Sequence, residues 1–69
     1  MTLYPIEVYW SAEDGAWLAS VPDLPGCISH GPTPHQAVAE AEDAIAAWLE
    51  AAERTGQPIP PASVRAARA

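Results

Sequence analysis

Residues 21–33, Val-Pro-Asp-Leu-Pro-Gly-Cys-Ile-Ser-His-Gly-Pro-Thr, constrain the fold of this chain more than any other stretch. Pro22 and Pro25 fix φ and cannot donate to a sheet ladder. Pro25-Gly26 suits the central positions of a type II turn, whose third residue needs a positive φ. Thr33 is a good N-cap and Pro34 suits the first helical position. The segment therefore ends one strand, turns, lays down a short strand from Cys27 to His30 and launches a helix. It contains no obvious catalytic set.

Upstream, Tyr4-Pro5-Ile6-Glu7-Val8-Tyr9-Trp10 is rich in β-branched and aromatic residues and reads as a strand. Pro5 restricts it to an edge or a strand beginning. Asp14-Gly15 signals a hairpin, and Ala16 to Val21 form the return strand. With a two-residue loop, Trp10 stands opposite Ala19, Val8 opposite Val21, and Trp17 diagonal to Trp10. Ile6, Val8, Trp10, Trp17, Ala19 and Val21 then share one apolar face, and Glu7, Tyr9, Leu18 and Ser20 the other. In the third strand the same alternation puts Cys27 and Ser29 inward, Ile28 and His30 outward. Trp10, Trp17 and Trp48 are expected in the core.

The helix rests on several agreeing signals. Gln36, three residues after Thr33, completes a capping box. Ala37, Val38, Ala41, Ala44, Ile45, Trp48, Leu49 and Ala52 form an apolar stripe, with Glu40, Asp43, Glu50 and Glu53 mostly opposite. Arg54 suits the last turn, Gly56 the C′ position, and Pro58 stops the helix. About 22 residues at ~1.5 Å each give a rod of ~33 Å, long enough to cover a three-stranded sheet along its length. The expected fold is α+β: a three-stranded antiparallel sheet in β-β-β-α order with one long helix packed on one face. Residues 1–61 form this one domain, with Pro58-Ile59-Pro60-Pro61 as a stiff extended exit. Residues 62–69 are a short tail, open between a helix, a fourth strand and a frayed end.

At 69 residues the chain is close to the size where one core supplies only about 3–5 kcal/mol. Cys27 is the sole cysteine, so no disulfide staples the monomer, and no His/Cys cluster suggests a structural metal. Oligomerisation is the remaining common route, so at least a homodimer is expected. Nine acidic residues against three arginines give a formal charge of −6. That argues against direct nucleic-acid binding, which needs clustered Lys/Arg, and favours a basic protein partner whose approach the field steers. The alternative is that an acidic surface only confers solubility. No segment approaches the ~20 apolar residues of a transmembrane helix. The start lacks the basic and apolar regions of a signal peptide, and with one free cysteine this points to the cytoplasm.

No residue pattern suggests catalysis. Glu13 and Asp14 read as solvated turn residues, and Asp23 as a cap on a local N–H. Glu40, Glu42 and Asp43 read as a solvated helix face rather than a metal site, since oxygen cages normally draw on a purpose-built loop. Cys27 and His30 are three apart on a strand and point to opposite faces, and Cys27 reads as a buried structural residue. His30 and His35 lack further metal ligands. Tyr9, Leu18 and Ile28 all fall on the second sheet face. An apolar patch there marks either an interface or an ordinary partly exposed surface.

The hairpin, Val21-Pro22-Asp23-Leu24-Pro25-Gly26-Cys27, Gly31, Thr33, Ala37 and the long acidic helix together resemble the HicB family of bacterial type II antitoxins. The resemblance covers roughly residues 4–60, and Ile59-Pro60 is similar to the family's exit from the helix. It implies a partial ribonuclease-H-like domain without nuclease activity or cofactor. It also implies a partner, a small basic RNA-cleaving toxin of the HicA kind, which the domain covers and neutralises. Tyr9, Leu18 and Ile28 are then the candidate contact residues. The eight residues after Pro61 are too few for the C-terminal DNA-binding module of full-length members, so operon repression by this chain is not expected. The other reading is an orphan oligomeric regulatory domain without a toxin. A ribonuclease-H-like enzyme would need several carboxylates converging at strand ends, and Glu7 is the only acid within an expected strand.

Overall fold

The structure is a computed structural model and describes residues 4–63. Strands β1 (Glu7–Ser11), β2 (Ala16–Ser20) and β3 (Ile28–Gly31) form an antiparallel sheet in the order β1-β2-β3, and helix α1 (Pro34–Thr55) follows. The expected α+β architecture and element order hold. Beyond Ser63, the tail left open in the sequence lies outside the described residues.

The hairpin register differs from expectation. Val8 pairs with Ala19, Tyr9 with Leu18, and Trp10 with Trp17, and Ser11 closes the ladder opposite Ala16. The connection is thus four residues, Ala12 to Gly15, rather than two. Its closure explains why. Ser11 Oγ donates to Asp14 Oδ2 at 3.0 Å and accepts from Asp14 N–H at 3.2 Å. Gly15, at φ 63°, donates its N–H back to Ser11 O at 2.8 Å. Asp14 therefore uses its side chain to hold a wider loop instead of occupying the centre of a tight one. The shift is two residues, an even number, so every side chain keeps its face.

The proline-rich segment folds as two successive turns. Leu24 N–H donates to Val21 O and Cys27 N–H to Leu24 O, both at 3.0 Å, and Val21 N–H donates to Cys27 O at 2.9 Å. Gly26 has φ 77°, as the type II turn at Pro25-Gly26 demands. This folding drives Leu24, a loop residue, into the core at 1% exposure. Two long-range bonds fasten the segment. Trp48 Nε1–H donates to Pro25 O at 3.0 Å, and Asp23 Oδ2 accepts from Ser63 N–H at 2.7 Å. Asp23 does cap an N–H, but one forty residues away rather than a local one. The Tyr4 hydroxyl donates to Pro60 O, which ties the exit segment to the chain's first described residue.

Both helix ends follow from sequence. Thr33 Oγ1 accepts from Gln36 N–H at 3.1 Å, and Pro34 sits in the first turn. The reciprocal bond of a capping box is altered: Gln36 Oε1 accepts from the Thr33 hydroxyl at 3.3 Å rather than from its backbone N–H. At the C-terminus, Gly56 at φ 74° lets its own N–H reach Glu53 O and the Gln57 N–H reach Ala52 O, a Schellman motif.

The core is Ala19, Val21, Leu24, Cys27, Ala37, Ala41 and Ile45, flanked by Tyr4, Ile6, Trp17, Ala44, Trp48 and Leu49. Its helix side is largely alanine, and Gly31 faces it, so α1 sits very close to β3. The helix lies chiefly on β3 and β2 and barely reaches β1. A helix of ~10–12 Å diameter covers about two strands spaced ~4.8 Å apart, and its close seat on β3 leaves β1 uncovered. The expectation of a rod covering all three strands is therefore corrected. So is the placement of Trp10 in the core, since it is 51% exposed, and Val8 on the same apolar face is 37% exposed. Trp10 instead packs edge-to-face on its cross-strand partner Trp17, with ring centroids 5.7 Å apart, and Trp17 alone leans into the core.

Candidate protein-binding face

On the side of the sheet away from α1, the register lays side chains out in rows. Tyr9, Leu18 and His30 form one row, and Glu7, Ser20 and Ile28 the next. Directly opposed residues stand ~4.5–5.5 Å apart at Cβ and diagonal ones ~7–8 Å. Tyr9 and Leu18 are therefore neighbours, and Ile28 is diagonal to Leu18. The structure brings the three sequence-named residues onto one face. Tyr9 and Ile28 are 44% and 51% exposed, and Leu18 is half-buried between them on the central strand. His30 joins this patch beside Leu18. Alternation along β3 places His30 outward, but its neighbour follows only from the register.

The charge lies elsewhere. Glu7 is the one acidic residue in the described strands, whereas Glu40, Glu42, Asp43, Glu50 and Glu53 are all exposed on α1. Glu13 and Asp14 occupy the exposed hairpin turn, as expected. Arg54 reaches Glu50 at 3.9 Å with both groups mostly in water, a contact of little energetic weight. The domain thus has an apolar sheet face and an acidic helix layer on opposite sides.

Two sheet edges are open among the described residues. Beside β3 runs an open groove of about 470 Å3 lined by Ile28, Ser29, His30, Gly31, Pro32 and Glu40. The outer edge of β1 carries the exposed Val8 and Trp10. The edge restriction imposed by Pro5 was the signal for this, and the apolar alternation of the same strand hid it.

Cys27 is buried at 6% exposure and faces inward, opposite to His30. Burial pushes its thiol above the ordinary cysteine value, so thiolate chemistry is disfavoured there. Among the described residues no three His, Cys, Asp or Glu side chains gather to hold a metal ion. No helix among them is long and apolar enough to cross a membrane.

Sequence comparison adds the family context. The family described as the HicB-like antitoxin of bacterial toxin–antitoxin systems matches residues 4–68. The UPF0150 protein Ta0767 of Thermoplasma acidophilum is 38% identical over 48 residues, which span 70% of each chain. The UPF0150 protein ssl0259 of Synechocystis is 37% identical over 57 residues, 83% of this chain and 77% of that one. No solved structure matches the chain significantly.

Proposed function

This chain belongs to the HicB-like antitoxin family, and from that premise we propose that it binds and neutralises a small basic RNA-cleaving toxin of the HicA kind without catalysis of its own. The observation that supports this reading is the patch of Tyr9, Leu18 and Ile28 on an uncovered sheet face. A flat apolar centre with a polar rim of Glu7, Ser20 and His30 has the anatomy of a protein-binding surface. Masking the toxin's RNA-binding surface needs area and shape only.

The test is an interface substitution read in two ways. Leu18→Glu puts a carboxylate in the centre of the patch while leaving the helix side of the sheet untouched. It should abolish binding to the basic toxin purified from the same host, with far-UV circular dichroism unchanged. Wild-type affinity in a folded Leu18→Glu chain would remove the sheet face from the proposal. Ionic strength then separates the faces. The net charge alone suggests steep salt dependence, but five of the nine acidic residues stand on α1, on the far side of the sheet. Across a ~8–10 Å Debye length their pull is largely screened. Contact through the sheet face therefore gives a shallow dependence, and a steep one assigns the contact to the helix layer.

The other reading is an orphan regulatory domain. The relatives carry names that specify no partner. A low-salt affinity purification of the tagged chain from its host decides between them. A stoichiometric small basic protein supports the antitoxin reading, and the chain recovered alone supports the orphan.

A further inference from the structure

We propose that the outer edge of β1 is the contact between two copies of this chain, paired antiparallel about a two-fold axis at Tyr9. Hydrogen-bond parity decides which backbone groups of β1 face outward. Val21 N–H bonds Cys27 O, so along β2 the residues in step with Val21, namely Ala19 and Trp17, turn their backbone groups toward β3. Leu18, Ser20 and Ala16 must turn theirs toward β1. Their partners Tyr9, Glu7 and Ser11 are thereby satisfied. The backbone N–H and C=O groups of Val8 and Trp10 are the ones aimed at the open edge.

Antiparallel self-pairing about Tyr9 sets Val8 opposite the second copy's Trp10, and Trp10 opposite its Val8. These are the residues whose ladder groups have no strand partner among the described residues, so the pairs form without a bulge. Every residue of the five-residue strand finds a partner. On the helix side, each copy's exposed Trp10 covers the other's exposed Val8. On the other side Tyr9 meets its own equivalent at the close, non-hydrogen-bonded spacing that suits aromatic pairs. Glu7 faces Ser11, so the only charge in the strand meets no like charge. A residue set this apolar on both faces is an unusual edge, since edge strands are ordinarily blunted by charge, proline or a cover.

The area fits a reversible contact. Half-exposed tryptophan and tyrosine, of ~150–250 Å2 each, with Val8 contribute on the order of 250 Å2 per copy. The side chains of the pair thus supply ~500 Å2, under the ~1,200 Å2 of a stable complex. The dimer is accordingly concentration-dependent. Two chains of charge −6 repel, so added salt tightens it.

The test is sedimentation equilibrium from micromolar to millimolar concentration, coupled to site-specific crosslinking. Tyr9→Cys should form a disulfide dimer under mild oxidation, because equivalent residues on the axis face each other. Val8→Cys should not, because its partner is Trp10. Cys27, being buried, stays reduced in both. Trp10→Glu should weaken self-association by at least about tenfold, the scale of removing an aromatic interface anchor. Circular dichroism confirms the fold, and should Tyr9→Cys misfold, Trp10→Glu in the native background decides alone. A monomer throughout the range, a crosslink at Val8→Cys and not Tyr9→Cys, or Trp10→Glu with undiminished association overturns the proposal.

Discussion

Gly31→Ala tests most directly how the helix is seated. Gly31 is buried and has an ordinary negative φ, so it is not glycine for conformational reasons. The reason is contact. A Cβ there would lie 2.8 Å from Ala37 N, 3.0 Å from the Gln36 carbonyl carbon and 3.1 Å from Gln36 Cβ. Heavy-atom pairs settle near ~3.5–4.0 Å, and the two nearest atoms are helix backbone, which no rotamer change moves. The first turn of α1 must retreat by roughly half an ångström or more, lifting Ala37 and Ala41, both at 0% exposure, off the sheet. Overpacking of this kind costs ~1–3 kcal/mol, offset by ~0.5–1 kcal/mol of backbone entropy that alanine saves over glycine. The net is ~1–2 kcal/mol out of the ~3–5 kcal/mol a domain of this size holds. At ~4–8 °C per kcal/mol, the melting temperature should fall by ~4–16 °C.

Urea unfolding followed by tryptophan fluorescence measures this, at one fixed protein concentration so that self-association does not enter the comparison. Gly15 provides the contrast. It has φ 63° and nothing within 4 Å of a built Cβ, so replacements there should rank by left-handed preference, with Asn milder than Ala. At Gly31 they should rank by size, with Asn worse than Ala. Gly31→Ala at wild-type stability, or an Asn preference at Gly31, would refute the close seating of α1 on β3.

Two further outcomes follow from single side chains. Trp48→Phe keeps an aromatic ring but loses the 3.0 Å indole N–H bond to Pro25 O and part of a ring packed on the core; the loss should be at least the ~0.5–1.5 kcal/mol of the hydrogen bond by urea unfolding, and a Trp48→Phe chain as stable as wild type would mean the bond does not fasten the turn. Cys27 carries a thiol pushed up by burial. A group raised in the folded state contributes stability that is complete below its unfolded value and is lost as pH climbs from there through the folded value. Stability should decline above about pH 8.5, and Cys27→Ala should flatten that decline; an identical alkaline slope in both chains would show that Cys27 is not its source.

What the sequence carried and what it withheld divide along the range of the forces involved. Thr33, Pro34 and Gly56 act on backbone groups within a turn of themselves, so the helix limits are readable residue by residue. Face assignment along each strand is equally local, which is why Tyr9, Leu18 and Ile28 fall together on the open face even though the hairpin is two residues out of register. The register was hidden because Asp14-Gly15 signals a tight turn, and nothing local announces that Ser11 Oγ will hold Asp14 in a wider one. Trp10's exposure was hidden for a different reason. Its face is correct, but whether that face is covered depends on where the helix sits sideways, and that is set by Gly31 against Ala37 on the strand farthest from it. Net charge is likewise a scalar and cannot say that the acids stand on the layer opposite the apolar patch.

On the two proposals made above, one small domain has two contacts that share Tyr9 and otherwise draw on different groups. Edge pairing through β1 uses backbone groups in the plane of the sheet, the helix-side exposure of Val8 and Trp10, and Tyr9 against its own equivalent at the margin of the open face. The patch centred on Leu18 points out of that plane on the other side. Joining two copies at Tyr9 makes the two outer faces continuous, so each dimer presents a doubled apolar surface while the acidic helices stay on the reverse. The contacts also respond differently to salt: like charge opposes self-pairing and is relieved by salt, whereas a partner on the sheet face feels the helix acids only through a screening length and responds little. A partner that spans the doubled surface buries more area than it would on one copy, so on the two proposals its binding favours the dimer. Partner binding measured on Trp10→Glu should therefore be weaker than on wild type even though Trp10 lies off the Leu18 patch, and equal affinity in the two chains would show that the contacts are independent.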